Sequence, residues 1–152
     1  MGLKANDGKI LIVDDSEMNR AILSEMIGDK YNFIEAENGA EAVAILQHRN
    51  AEISLVLLDI VMPVMNGYDV LEIMNSRRWI DDIPAIMISE ESTPSNIERA
   101  YDMGAVDFIA RPFDKSVVLR RVVNTFMIYE KQKNLRNLLS VRSTKKKETA
   151  TL

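Results

Sequence analysis

The sequence predicts an α/β fold: a doubly wound, five-stranded parallel sheet with helices on both faces. Three observations carry that prediction. Short apolar runs alternate with segments of helical periodicity, five of each, which implies parallel strands joined by crossover helices. The run Leu55-Val56-Leu57-Leu58 is apolar without a break, as in a strand covered on both faces. The chain of 152 residues, 47% of them hydrophobic, suits one domain with one sizeable core. Right-handed crossovers then leave only a few doubly wound strand orders.

Lys9 to Val13 is the first strand and ends in Asp14-Asp15. Ser16 to about Asp29 is an amphipathic helix, with Met18, Ile22, Leu23, Met26 and Ile27 on its apolar side. Asn32 to Ala36 is a weaker run, interrupted by Glu35, and fits a strand near the sheet edge. Gly39 to about Arg49 is helical, with Ala40, Ala42, Val43 and Leu46 on one side. Ile53 to Leu58 is the central strand, and Asp59 stands at its carboxyl end. Pro63 and Gly67 then turn the chain into a helix with Tyr68, Val70, Leu71 and Met74 on its apolar side.

Ile83 to Ile88 is the fourth strand, with Pro84 near its start, where a missing N–H is tolerated. Ser95 to Met103 is a short helix closed by Gly104. Ala105 to Ala110 is the fifth strand. A long helix follows, from a helix-capping Asp114 to about Ser140, with Val118, Val122, Val123 and Phe126 turned inward. The runs at 10–13 and 55–58 are the most apolar and belong in the middle of the sheet.

Composition removes several function classes. There is no Cys, which excludes disulfides and thiolate metal sites and fits a cytoplasmic protein. The single His48 lies in a helix and reads as a surface residue. No apolar run approaches the roughly 18 residues that cross a membrane, and Met1 to Lys9 lacks the apolar segment of a secretory signal. Residues 1–128 carry 12 Lys/Arg against 21 Asp/Glu, whereas residues 129–152 carry seven Lys/Arg against two Glu. An acidic body of that kind does not bind nucleic acid; only the basic tail is a candidate, and a weak one.

Ligands in open parallel sheets bind beyond the carboxyl ends of the strands. Four of the five strands place polar groups there: Asp14 and Asp15, then Asp59, Ser89 and Arg111. Asp59 alone could simply begin a turn; the company it keeps argues for a site. Two carboxylates 4 Å apart repel by about 4 kcal/mol at an effective dielectric of 20. A divalent cation relieves that repulsion, and an all-oxygen set without His or Cys favours Mg²⁺. Ser89 and Arg111 are donors suited to an anion. The set can hold a phosphoryl group, with Asp59 as nucleophile and a transfer that depends on positioning and charge neutralisation.

Ile10-Leu11-Ile12-Val13-Asp14-Asp15-Ser16, Leu57-Leu58-Asp59-Ile60-Val61-Met62-Pro63-Val64-Met65-Asn66-Gly67 and Gly104-Ala105-Val106-Asp107-Phe108-Ile109-Ala110-Arg111-Pro112-Phe113 resemble the receiver domain of two-component response regulators. The resemblance covers about residues 9–128. It implies a flavodoxin-like fold with strand order 2-1-3-4-5. It also implies that Asp59 accepts a phosphoryl group from a sensor histidine kinase or phosphotransfer protein. Asp14 and Asp15 would then hold Mg²⁺ together with Asp59 and the backbone carbonyl of Val61. Ser89 would be the switch hydroxyl and Phe108 the switch aromatic, and the Arg111–Pro112 bond would be cis.

The chain departs from the family at two points. Arg111 stands where the family usually has Lys, and Arg is longer, planar and not its equivalent. Glu90-Glu91 follow Ser89 where a small residue is usual, so Arg111 is expected to rest on Glu90, Glu91 or the Asp cluster. A degenerate receiver that acts as a phosphate-independent interaction module is the alternative; the intact Asp14, Asp15 and Asp59 argue against it. A haloacid-dehalogenase-type phosphatase would need Asp-x-Asp on one strand end. A dinucleotide or flavin binder would need a Gly-rich loop where Ser16-Glu17-Met18-Asn19 stands.

Met62, Met65, Met74 and Met87 read as core filler, and Trp79 as a loop anchor. Residues 1–8 are expected to be disordered, and residues 129–152 to form a helical connector and a basic tail, disordered from Thr144. Ile128, Leu135, Leu138 and Leu139 continue an apolar seam, so the helix is expected to pair in a homodimer or dock on a further domain. The chain is expected to be the front part of a longer regulator. Its Arg-Pro-Phe-Asp ending resembles receivers joined to diguanylate cyclases or related outputs.

Overall fold

The computed structural model describes residues 8–150, with side chains through Arg142. The expectation of disorder at residues 1–7 and at the last two residues lies outside that range.

The strands are β1 (Lys9–Val13), β2 (Asn32–Ala36), β3 (Ile53–Asp59), β4 (Ala85–Ser89) and β5 (Asp107–Ala110). All pair in parallel, in the order β2-β1-β3-β4-β5. The helices are α1 (Glu17–Ile27), α2 (Gly39–Arg49), α3 (Gly67–Ser76), α4 (Pro94–Asp102) and α5 (Lys115–Ala150). The architecture is the doubly wound one that the alternation of elements predicts, with β3 central and β2 at an edge.

Side chains alternate between faces along each strand, and the core divides accordingly. Leu11, Val13, Val56, Leu58, Met87 and Phe108 pack on one face with Ala42 and Leu46 of α2 and Val70, Leu71 and Met74 of α3. Ile10, Ile12, Leu55, Leu57, Ile86, Ile88 and Ile109 pack on the other, against Leu23 and Ile27 of α1 and Val118 and Val122 of α5. Neighbours in the run 55–58 therefore serve different layers, which is why the run is apolar throughout.

Each helix starts on a local signal. The side chains of Ser16, Asn38, Asn66 and Thr93 cap α1 to α4 by accepting backbone N–H groups three residues on. Asn66 and Asp69 cap each other reciprocally. The Asp114 carboxylate accepts the Ser116 N–H at 2.9 Å at the head of α5.

Some expectations are corrected. Met18 is 71% exposed, because helical periodicity sets it on the side of α1 away from buried Leu23 and Ile27; Ala40 is exposed too. β4 begins at Ala85 rather than Ile83, and β5 at Asp107 rather than Ala105. Helix α5 does not stop near Ser140, and backbone helix replaces the expected disorder over 144–150. No Pro or Gly follows Pro112, so nothing in the sequence breaks the helix. Met74 and Met87 are fully buried, Trp79 packs against the core, and His48 is exposed.

Candidate functional site

Asp14, Asp15, Asp59, Ser89 and Arg111 all leave the sheet at its carboxyl edge. Asp14 and Asp59 end neighbouring strands, since Val13 pairs in register with Leu58. One carboxylate oxygen each of Asp14, Asp15 and Asp59 can be chosen so that all three lie within 4.8 Å of one another. Asp14 and Asp59 are buried, whereas Asp15 is exposed. The cluster thus has a floor of two sequestered carboxylates and a rim of one solvated carboxylate.

The buried pair is held by the chain itself. Asp14 Oδ1 accepts the Ser16 N–H at 2.8 Å. Its backbone carbonyl accepts Arg20 Nη1 at 2.7 Å, and Arg20 Nε donates to Glu35 at 2.8 Å. Arg20 therefore ties α1 and β2 to the corner that carries Asp14. Nothing in the sequence pattern singles it out, because its partners come from two other elements.

Arg111 enters the cluster as a bridging cation. Its Nη2 donates to Asp14 Oδ2 and lies 3.5 Å from Asp59 Oδ2. The expectation that Arg111 rests on a carboxylate holds for the Asp cluster. Glu90 and Glu91 are exposed, and neither is its ion-pair partner among the described residues. The Arg111–Pro112 bond is cis.

Burial pushes the Asp59 carboxyl up to about 6. Arg111 opposes that rise, Asp14 adds to it, and the N–H groups of Ile60 and Val61 oppose it more weakly. Burial thus outweighs the neighbouring guanidinium, and Asp59 is a carboxylate held at a cost.

The loop after Asp59 sets the shape of the site. Gly67 N–H donates to Ile60 O at 2.8 Å, and a Cβ on Gly67 would lie 2.3 Å from Asp59 O. Only Gly fits, which is the backbone need behind that residue. Val64 has φ of 69° within a turn closed by Met65 N–H on Pro63 O.

Ser89 is buried, and its Oγ accepts the Glu91 N–H at 3.1 Å. Phe108 is buried on the α2–α4 face of the sheet. Beside Arg111, a cavity of about 610 Å³ is lined by Asn19, Ile22, Met26, Glu90, Pro112 and Phe113.

A family model described as the response regulator receiver domain matches residues 10–123. The chain is 30% identical over 118 residues to the two-component response regulator ORR3 of Oryza sativa, covering 75% of this chain and 89% of that protein. It is 37% identical over 113 residues to a Vibrio cholerae protein named "Probable cyclic di-GMP phosphodiesterase". That match covers 74% of this chain but only 25% of the Vibrio protein. Among solved structures, a chain of the CheX–CheY–BeF3–Mg²⁺ complex from Borrelia burgdorferi superposes with a TM-score of 0.72 at 34% identity. That match covers 78% of this chain and 89% of that one. A response regulator receiver domain protein from Methanospirillum hungatei shares the fold, with a TM-score of 0.73 at 24% identity over 82% of this chain and 98% of that one. With the fold, the acidic cluster and these matches in agreement, the chain belongs to the response regulator receiver domain family.

Proposed function

We propose that this domain accepts a phosphoryl group on Asp59 from a sensor histidine kinase or phosphotransfer protein and switches conformation in response. The convergence of Asp14, Asp15 and Asp59 at the carboxyl edge of the sheet carries the reading. The donor set is all oxygen, hard and anionic, and fits Mg²⁺. Asp14, Asp15, Asp59 and the Val61 carbonyl would hold it, and the CheY of the Borrelia complex was captured with Mg²⁺ and BeF3. When bound, Mg²⁺ offsets negative charge on the phosphoryl oxygens.

The chemistry falls to the chain's own groups. An oxygen of Asp59 attacks phosphorus, an O–P bond forms as the N–P bond of phosphohistidine breaks, and the imidazole leaves. Little acid–base work is needed, so the protein contributes position and charge. Arg111 would pair with a phosphoryl oxygen. The Ser89 hydroxyl would turn to donate to another, and Phe108 would follow it inward. The domain acts as a switch and turns over no substrate beyond its own phosphoryl group.

In this reading the domain is the front part of a longer cytoplasmic regulator, in keeping with a chain that lacks Cys. Helix α5 is the connector. Ile128, Leu135, Leu138 and Leu139 are all more than half exposed along it and would pair with a second copy or dock on an output domain. Beryllofluoride with Mg²⁺ tests the switch. It should shift the amide resonances of Ser89 and Phe108 together, and a chelator should reverse the change. Unmoved resonances at saturating beryllofluoride would favour the phosphate-independent interaction module.

A further inference from the structure

Arg111 serves two carboxylates with one nitrogen, Nη2, and its Nε is buried without a hydrogen-bond partner. A guanidinium normally grips a carboxylate with two parallel bonds. Here it is under-satisfied, and a buried donor left unpaired is costly. Meanwhile both Asp14 oxygens are already engaged: Oδ1 accepts the Ser16 N–H and Oδ2 accepts Arg111 Nη2. The guanidinium thus stands on an oxygen that a divalent cation would use.

A second carboxylate waits beside it. Ser89 and Ala110 are paired in register, and Arg111 N–H donates to Ser89 O at 3.1 Å, so Glu90 and Arg111 leave the sheet side by side. Both line the 610 Å³ cavity with Phe113, whose ring centroid lies 5.3 Å from Arg111 Cζ. The ring offers the guanidinium a face along which to move between carboxylates.

We infer that Arg111 is an internal counter-ion latch. It holds Asp14 against a divalent cation and yields by transferring to Glu90 when the cation binds. The latch deepens the receiver reading and depends on it for the identity of the cation site. Its consequence is a site whose cation affinity is set by competition within the chain, so that Glu90, which touches neither cation nor phosphoryl group, acts as a positioning residue.

Equilibrium binding of Mn²⁺ to the whole chain, read from the free-ion electron paramagnetic resonance signal without phosphodonor, tests this. Arg111→Ala should tighten binding by about tenfold, as expected for loss of a cation competing at a few ångströms. Arg111→Lys should stay within about threefold of wild type, because the charge is kept. Glu90→Gln should weaken binding by about threefold in the presence of Arg111 and change nothing in an Arg111→Ala background, the signature of a coupled pair. Thermal melts with and without Mn²⁺ give the same ranking if Arg111→Ala is less stable without metal. Equal or weaker binding by Arg111→Ala overturns the latch, as does a Glu90→Gln effect that persists without Arg111. Binding that Asp14→Asn leaves unchanged would instead sink the cation-site reading itself.

Discussion

Asp59 is the residue on which burial and charge conflict. Its folded pKa, about 6, lies above the ordinary 3.8, so the folded state holds a proton that the unfolded chain has released. Stability therefore falls as pH rises from about 4 through about 6, and the penalty is fully present at neutral pH. Asp59→Asn should raise stability by about 1–3 kcal/mol at pH 7.5 without divalent cations, and by nothing below about pH 4. Denaturant melts at the two pH values check this; an equal effect at both would contradict the burial argument. Gly67→Ala makes the opposite point. Its Cβ would strike Asp59 O and the Ile60 backbone, neither of which can step aside. A loss of about 2–4 kcal/mol is expected, measurable as a lower melting temperature. The pairing Arg111 adopts was only partly legible. The sequence narrows its partner to a carboxylate, but Asp14 rather than Glu90 follows from side-chain paths beyond the strand ends, which only the packed structure fixes.

Among the elements, β1 and β3 were the most legible, because apolar runs ending in carboxylates have few other meanings in an alternating α/β chain. The helix start was legible where a capping residue announced it, as at Asp114; the starts of β4 and β5 were less so, because apolar Ile83 and Ala105 extend each run ahead of its first paired residue. Helix α5 was the least legible, since a polar segment without Pro or Gly carries no stop signal. Its far half touches the body through Arg136 Nη1, 2.8 Å from Asp82 Oδ1. Both partners are exposed, so Arg136→Ala should cost under about 1 kcal/mol. The seam of Leu135 and Leu138 matters more. Sedimentation should show a concentration-dependent dimer that Leu135→Asp with Leu138→Asp, or truncation after Phe126, abolishes. Monomers at high concentration in every variant would leave the helix an unpaired extension of this domain.

For the whole molecule, the sheet does two separate jobs. Its two faces bury independent apolar layers, and its carboxyl edge gathers charge that neither layer could tolerate. Leu57 belongs to the layer under α1 and α5, away from the acidic edge. Leu57→Ala should cost about 2–5 kcal/mol in stability. An acidic body and a basic C-terminal segment divide the charge in the same way. In the proposed function, this edge places one phosphoryl group on one residue, Asp59. Intact-mass measurement after incubation of the whole chain with acetyl phosphate and Mg²⁺ tests it most directly. A single added phosphoryl group is expected, located on Asp59, lost in Asp59→Asn and absent when Mg²⁺ is chelated; an Asp59→Asn chain labelled to the same extent as wild type would contradict the proposed function.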